Sequence, residues 1–340
     1  MELTSILIIV LVIMGITLAF SIGANDETLS ALVGANITKF KIALIIGGIA
    51  TGAGMIFLSG GVGKMVGENI LGEGIEYTTF MLLSVLISSI IWLIIGSFSG
   101  IPLSSTHSTI GSIFGVILVF SLFQGDVDPT TVLNYEKLNS LVISWFLSPI
   151  FGFLFTYLLF KIISKFFLSR LKGMNQIEKS EKNFSWLLLI AVIFAEIWVG
   201  ANSAECIGIF HALWSNGSLT LIEKDFFVVI CGIFVFLGIF IVGRYVIKNL
   251  ARQMTDARPC EGFIIQISSS IILMICTLLS LPISHSHVIV FCILGLNLAQ
   301  KREIDYRSLG KMAIYWVLTF FIAGILGGMI YMGFLSVSLI

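Results

Sequence analysis

Charge is what this chain has least of. Only 11% of its 340 residues are Asp, Glu, Lys or Arg, where a soluble domain carries about 25%. That is too little polar surface to coat a soluble globule, and too apolar a chain to stay disordered. Neither sign is in surplus: 19 Lys and Arg balance 19 Asp and Glu. The basic face of a nucleic-acid binder is therefore missing. Cysteine is sparse and scattered. Cys206, Cys231, Cys260, Cys276 and Cys292 form no C-x-x-C pair, which removes a zinc or dithiol signature. A secreted disulfide scaffold is excluded as well, and four of the five lie in apolar runs where they read as small hydrophobes. No basic region precedes the apolar stretch Ile6 to Phe20 and no small-residue cleavage site follows it. It reads as a first membrane helix, not a signal peptide.

What is present is hydrophobic: 57% of residues, with a mean hydropathy of +1.07. A spanning helix needs about 20 apolar residues. Runs of that kind are predicted at 3–22, 41–59, 78–98, 140–160, 185–202, 226–243, 263–281 and 311–337. Shorter or interrupted pieces occur at 28–37, 105–123, 204–214 and 285–299. Irregular backbone at membrane depth survives only where protein or a watery cavity covers it, so the broken pieces are where a site is sought. The glycines from Gly47 to Gly63 read as close helix packing, since no soluble α/β unit is present to make them a nucleotide loop.

Sixteen of the nineteen Lys and Arg fall in four segments, 37–41, 161–184, 244–262 and 300–311. The remaining loops are dominated by acids such as Glu68, Glu73, Asp126 and Asp128. Cytoplasmic loops hold the basic excess. The basic segments are thus expected inside the cell membrane and both termini outside. The chain divides into a first transmembrane repeat at 1–160, a basic cytoplasmic linker at 161–184 and a second repeat at 185–340.

The halves echo each other. G-A-N-D at 23–26 returns as G-A-N-S at 200–203, and G-I-P-L-S-S-T-H at 100–107 returns as S-L-P-I-S-H-S-H at 280–287. The offsets agree: 177 residues between Asn25 and Asn202, and 180 between Pro102 and Pro282 and between His107 and His287. With the charge-derived orientation, the first half starts outside and the second inside. The repeats are expected to be inverted, an architecture that places a transport site at their shared midplane.

Gly23 allows the helix to break before Asn25, Asp26 and Glu27. A carboxylate at membrane depth costs roughly 2.5–3.5 kcal/mol, so Asp26 and Glu27 call for a cation, a proton or donor groups. Asn25 and Asp26 offer hard oxygens of the kind that suit Na⁺, or a titratable group for H⁺. The second copy keeps Asn202, replaces the aspartate by Ser203 and adds Glu205. A short solvent-exposed turn is the plain alternative for this motif. Pro102 interrupts the helix, and Ser104, Ser105, Thr106 and His107 open the next one. Hydroxyls beside free N–H groups at a helix start make an uncharged cradle for an oxyanion, and Ser284, His285, Ser286 and His287 repeat it. Ordinary N-capping explains one copy more readily than two. His107 and His287 read as packing groups with proton carriage as the alternative. His211 beside Trp214 reads as interfacial, and Glu196, alone in an apolar run, wants a partner from another helix.

These motifs, with G-R-Y-V-I at 243–247, resemble the inorganic phosphate transporter (Pit) family over nearly the whole chain. The resemblance implies an all-α integral membrane protein of two inverted-topology repeats, with broken helices and two re-entrant helical hairpins. It implies a symporter of inorganic phosphate with H⁺ or Na⁺, not an enzyme, and a homodimer in lipid. Asn25, Asp26, Ser104, Ser105 and Thr106 would line the site from one half, and Asn202, Ser203, Ser284, His285 and Ser286 from the other. Asn25, Asp26, Glu27, Asn202 and Glu205 would serve the coupling cation. No cofactor is implied beyond a bound Na⁺. The family reads G-A-N-D-V-A-N in both halves, whereas this chain reads G-A-N-D-E-T-L and G-A-N-S-A-E-C. Thr51, Ser203 and Gln266 are neutral where the family places acids, which tilts the coupling toward H⁺. Transport of sulfate or another small oxyanion, and a passive anion channel or nutrient receptor, are the competing readings. An intramembrane Ser–His–Asp enzyme fits poorly, because Ser105 and His107 are duplicated with their surroundings.

Overall fold

A computed structural model describes residues 3–99, 103–123, 129–253, 258–304 and 306–338. Gly100, Ile101 and Pro102 of the first hairpin motif, and Asp126 and Asp128, lie outside the described residues. Among those described there is no strand, only a single antiparallel bridge between Leu71 and Leu133. The first half runs α1 (Leu3–Ala24), α2 (Ser30–Gly34), α3 (Phe40–Leu58), α4 (Gly60–Lys64), a π-helical turn (Met65–Asn69), α5 (Thr79–Ser99), α6 (Ser105–Phe123), α7 (Pro129–Val132) and α8 (Tyr135–Phe166). The second runs α9 (Met174–Asn202), α10 (Glu205–Ser215), α11 (Leu221–Gly238), a second π-helical turn (Ile239–Gly243), α12 (Arg244–Gln253), α13 (Pro259–Leu278), α14 (His285–Gln300) and α15 (Tyr306–Ser338).

Nine helices among the described residues are long and apolar enough to cross a membrane. They keep large side chains on the outside, Phe57, Phe98 and Ile222 among them, as a lipid-facing surface requires. The expected elements are present with shifted ends. α8 continues to Phe166 and α9 already starts at Met174, so most of the basic stretch 161–184 is helical. Only the few residues around a 3₁₀ turn at Leu168–Arg170 reverse the chain, closing on Gly173 at φ +83°, a conformation that glycine adopts without strain.

Two of the basic segments meet in space. The Lys248 ammonium lies 4.8 Å from the Phe40 ring centre, bringing the 37–41 and 244–253 segments to one end. At the other end of the α3–α4 run, His211 Nδ1 sits 3.3 Å from Glu68 Oε1. His211 is 7% exposed, so it is a buried, paired group and not the interfacial one expected from Trp214.

The halves are interleaved through glycines. α1 crosses α11, where a Cβ on Gly23 would strike the Val235 carbonyl and one on Gly238 the Phe20 carbonyl. α9 crosses α3 in the same way, with Gly200 against the Thr51 carbonyl and Gly54 against that of Ile197. α6 leans on α15, Gly111 meeting the Phe320 carbonyl, while α14 leans on α8, Gly295 meeting that of Phe153. Each early helix of one half therefore packs on a helix of the other, and backbone-to-backbone approach of this kind tolerates no side chain. Of the five cysteines, Cys206, Cys231, Cys260 and Cys292 are buried among apolar side chains and all are free thiols.

Gly200→Ala is expected to push α9 from α3 and to cost about 1–3 kcal/mol, the usual penalty of overpacking, read as a lowered Tm of the purified protein in detergent. Gly60→Ala, where an added Cβ meets nothing within 4 Å, should leave Tm unchanged.

Candidate functional site

Two stretches of non-helical backbone lie inside the bundle, before α6 and before α14. Their polar groups need partners, since a buried backbone N–H or carbonyl left unpaired is costly. One asparagine serves each. Asn25, just past the end of α1, donates through Nδ2 to the Leu103 carbonyl, and its Oδ1 accepts from the Leu103 N–H at 3.4 Å. Asn202, the last residue of α9, donates to the Leu281 carbonyl at 3.1 Å and to Thr277 Oγ1 at 2.9 Å, while its Oδ1 accepts from the Ile283 N–H at 2.9 Å. A carboxamide carries an acceptor oxygen and a two-hydrogen donor on one planar group, so one Asn in each copy serves a backbone N–H and a backbone carbonyl at once. The break after α1 is held further by Gln266, whose Nε2 donates to the Thr28 carbonyl at 3.2 Å.

The hairpin tips are tied across the halves. Thr106 Oγ1 donates to Glu205 Oε1 at 2.6 Å and Ser105 Oγ to the same oxygen at 3.3 Å. On the other side Ser286 Oγ donates to Glu27 Oε1, with His285 Nδ1 at 3.8 Å from that oxygen. Each carboxylate comes from the broken helix of one half and each hydroxyl from the hairpin of the other. Ser104 caps α6 by accepting from the His107 N–H at 3.2 Å. Its counterpart Ser284 leaves its hydroxyl buried without a partner. His107 and His287 stack at 4.6 Å between ring centres, flanked by Trp145 at 4.3 Å from His107 and Trp316 at 3.9 Å from His287. They pack behind the tips, and Trp145 Nε1 pins the second one through the Pro282 carbonyl at 3.0 Å.

Between the tips lies a small cavity of about 40 Å³, lined by Asn25, Asp26, Glu27 and Thr51, by Ser104, Ser105 and Thr106, and by Ser203, Ser284, His285 and Ser286, with apolar walls. Nine of the ten residues expected at the anion site face this space. Asn202 stands behind it, holding the hairpin. Glu205 also stands behind, fully buried against Thr106, while Asp26 and Glu27 reach the cavity. Asp26 Oδ1 accepts from the Thr28 N–H at 2.9 Å and Thr28 Oγ1 at 2.7 Å. Glu196, which sequence reasoning left without a partner, accepts from Thr51 Oγ1 at 2.7 Å. The only hint in the sequence was a lone acid in an apolar helix; its partner lies 145 residues away. Among the described residues no Lys or Arg lines the cavity. None form a group of three or more His, Cys, Asp or Glu placed to hold a metal ion, although hydroxyl and carboxylate oxygens of the type Na⁺ accepts are present. The arrangement offers hydroxyls and the N-termini of α6 and α14 to an anion, beside carboxylates that repel it.

The Phosphate transporter family profile matches residues 22–327 of the chain. A Pyrococcus furiosus protein named as a phosphate permease is 24% identical, with 96% of this chain and 95% of that protein covered. A Bacillus subtilis protein named as a low-affinity inorganic phosphate transporter is 26% identical, with 97% and 98% covered. Among solved structures, a sodium-dependent phosphate transporter shares the fold, with a TM-score of 0.85 at 22% identity over 98% of this chain and 99% of that one.

Asn202→Ala strands the Ile283 N–H and the Leu281 carbonyl. With about 1–3 kcal/mol lost per buried group left unsatisfied, hydrogen exchange at 279–284 is expected to rise far more than at α13, a contrast that mass spectrometry of the intact protein reads directly.

Proposed function

The chain belongs to the phosphate transporter family, and on that premise we propose that it is a symporter carrying inorganic phosphate across the cell membrane with H⁺ or Na⁺. The observation that carries the reading is the mismatch inside the cavity. Donors suited to a tetrahedral oxyanion converge there from both hairpins, yet the ionisable lining groups include the acids Asp26 and Glu27 and no Lys or Arg. An anion beside buried carboxylates is strongly disfavoured at low effective dielectric, so phosphate enters in company with a positive charge. The relatives named for phosphate transport support the substrate.

Energetics demand the same company. A dianion moving into a negative interior climbs about 2.3 kcal/mol per charge per 100 mV, roughly 4.6 kcal/mol in all. Two cations make the step neutral and a third lets the potential drive it. In this reading Ser104, Ser105, Thr106, Ser203, Ser284, His285 and Ser286 coordinate the anion. Asn25 and Asn202 fix the tips, and Asp26, Glu27 and Glu205 exchange the cation. Neutral Thr51, Ser203 and Gln266 favour H⁺. The two halves run in inverted topology with both termini outside, and alternating access opens one glutamate–hydroxyl tie while the other stays closed.

Uptake of labelled phosphate into proteoliposomes is expected for the wild type. Asp26→Asn should reduce it about 10- to 100-fold, the equivalent of losing a charged interaction of about 1.5–3 kcal/mol, and Ser105→Ala by a smaller factor. Unchanged uptake in both variants would place the site elsewhere, and competition by equimolar sulfate would shift the substrate to the wider oxyanion class.

A further inference from the structure

We propose that Lys39, Lys41, Arg244 and Lys248 form a docking site for the headgroup of an anionic phospholipid, and that the bound lipid clamps α12 over the break after α1. None of the four lines the cavity between the hairpin tips, and the site stands apart from the phosphate-symport reading. The Lys248 ammonium lies 4.8 Å from the centre of the Phe40 ring, which Lys39 and Lys41 flank in the chain. Arg244 is one turn before Lys248, on the same face of α12. Its guanidinium lies over the Tyr245 ring, 4.9 Å from the centre, and Nη2 donates to the Tyr245 hydroxyl at 3.0 Å. All four cations are exposed. Among the described residues none of them has a carboxylate in ion-pair reach. Four cations gathered without an acid repel one another until an anion joins them.

The adjoining surface marks that anion as a lipid. Lys41, Ile45 and Ile49 recur every fourth residue on α3 and share one face. Both isoleucines are exposed on a helix long and apolar enough to cross a membrane. Lys41 therefore caps a track suited to an acyl chain, which a phospholipid uses and a free ion does not. Exposed Tyr245 adds the amphipathic ring that favours headgroup level. On the reverse of α12, Val246 and Ile247 are buried. Ile247 packs in the apolar cluster of Leu29 and Leu32 around α2 and Ala43 and Leu44 of α3. Gly243, just before α12, lies so close to the end of α1 that an added Cβ would stand 2.8 Å from the Gly23 carbonyl. A headgroup that bridges Arg244 and Lys248 to Lys39 and Lys41 ties α12 to the start of α3, and so presses α12 onto the segment that follows Asn25 to Thr28.

Two measurements on the full-length protein decide it. In detergent, offered phosphatidylglycerol and phosphatidylcholine in equal amounts, the wild type should retain phosphatidylglycerol, as read by native mass spectrometry. Lys41→Gln, Arg244→Gln and Lys248→Gln should each lower that retention about fivefold, the effect of one cation near an anionic membrane surface, while Lys248→Arg should keep it. Equal retention of the two lipids by the wild type, or retention unchanged in all three variants, overturns the docking site. Displacement of the lipid by inorganic phosphate at constant ionic strength overturns the lipid and makes the patch a port for the free ion. A dimer that falls apart in the variants while lipid retention persists gives the surface to a second copy instead. For the clamp, hydrogen exchange at 29–35 should be slower in phosphatidylglycerol nanodiscs than in phosphatidylcholine nanodiscs for the wild type, and the difference should vanish in Lys248→Gln; equal exchange in the wild type overturns the clamp. None of these measurements requires transport, so their failure leaves the symport reading standing, and a wild type that moves no phosphate leaves the lipid site to be decided by them.

Discussion

Two carboxylates, Glu27 and Glu205, each grip a hydroxyl offered by the opposite half of the molecule. The ties are reciprocal: Ser286 to Glu27, and Thr106 to Glu205. Each buries a carboxylate that would be intolerable alone and satisfies a hairpin tip that has left helical hydrogen bonding. The Asn clamps hold each tip against its own half, and the ties then draw the two tips to one point. The glycine crossings of α1 on α11 and α9 on α3 are what let the broken helices come near enough for this.

The all-helical membrane class and the approximate spans were legible because hydropathy is a local property. The site was legible for a different reason: the motif is written twice, and a repeated Asn, Pro and His at matching offsets is a stronger signal than any one of them. What the sequence hid lies in contacts between distant segments. The Thr51–Glu196 pair, the Gln266–Thr28 contact and the His211–Glu68 pair each join residues more than 140 positions apart, with no periodicity to announce them. Helix ends were misjudged where polar residues ride on an extended helix: α8 runs on to Phe166 and α9 starts at Met174, so only the short reversal between them, through Leu168–Arg170 to Gly173, interrupts the helix within 161–184. The π-helical turns at Met65–Asn69 and Ile239–Gly243 were equally invisible, since a one-residue widening leaves no mark on composition.

The neutral positions Thr51, Ser203 and Gln266 look like losses when read along the chain. In space two of them are working donors. Thr51 serves Glu196 and Gln266 serves the break after Asp26, so both neutral side chains pair with buried polar groups. Counting acids in a motif therefore says less about charge in the cavity than asking which side chains meet there.

The leaning of α6 on α15 carries a consequence for biogenesis. α15 is the last helix of the described chain to leave the ribosome, and it covers the flank of a hairpin made more than two hundred residues earlier. Until α15 is made, Gly111 and Gly115 lack the backbone of Phe320 and Gly324 that they pack against in the folded chain. A chain cut short before α15 therefore keeps the tie of Ser105 and Thr106 to Glu205 within reach but leaves the flank of α6 bare.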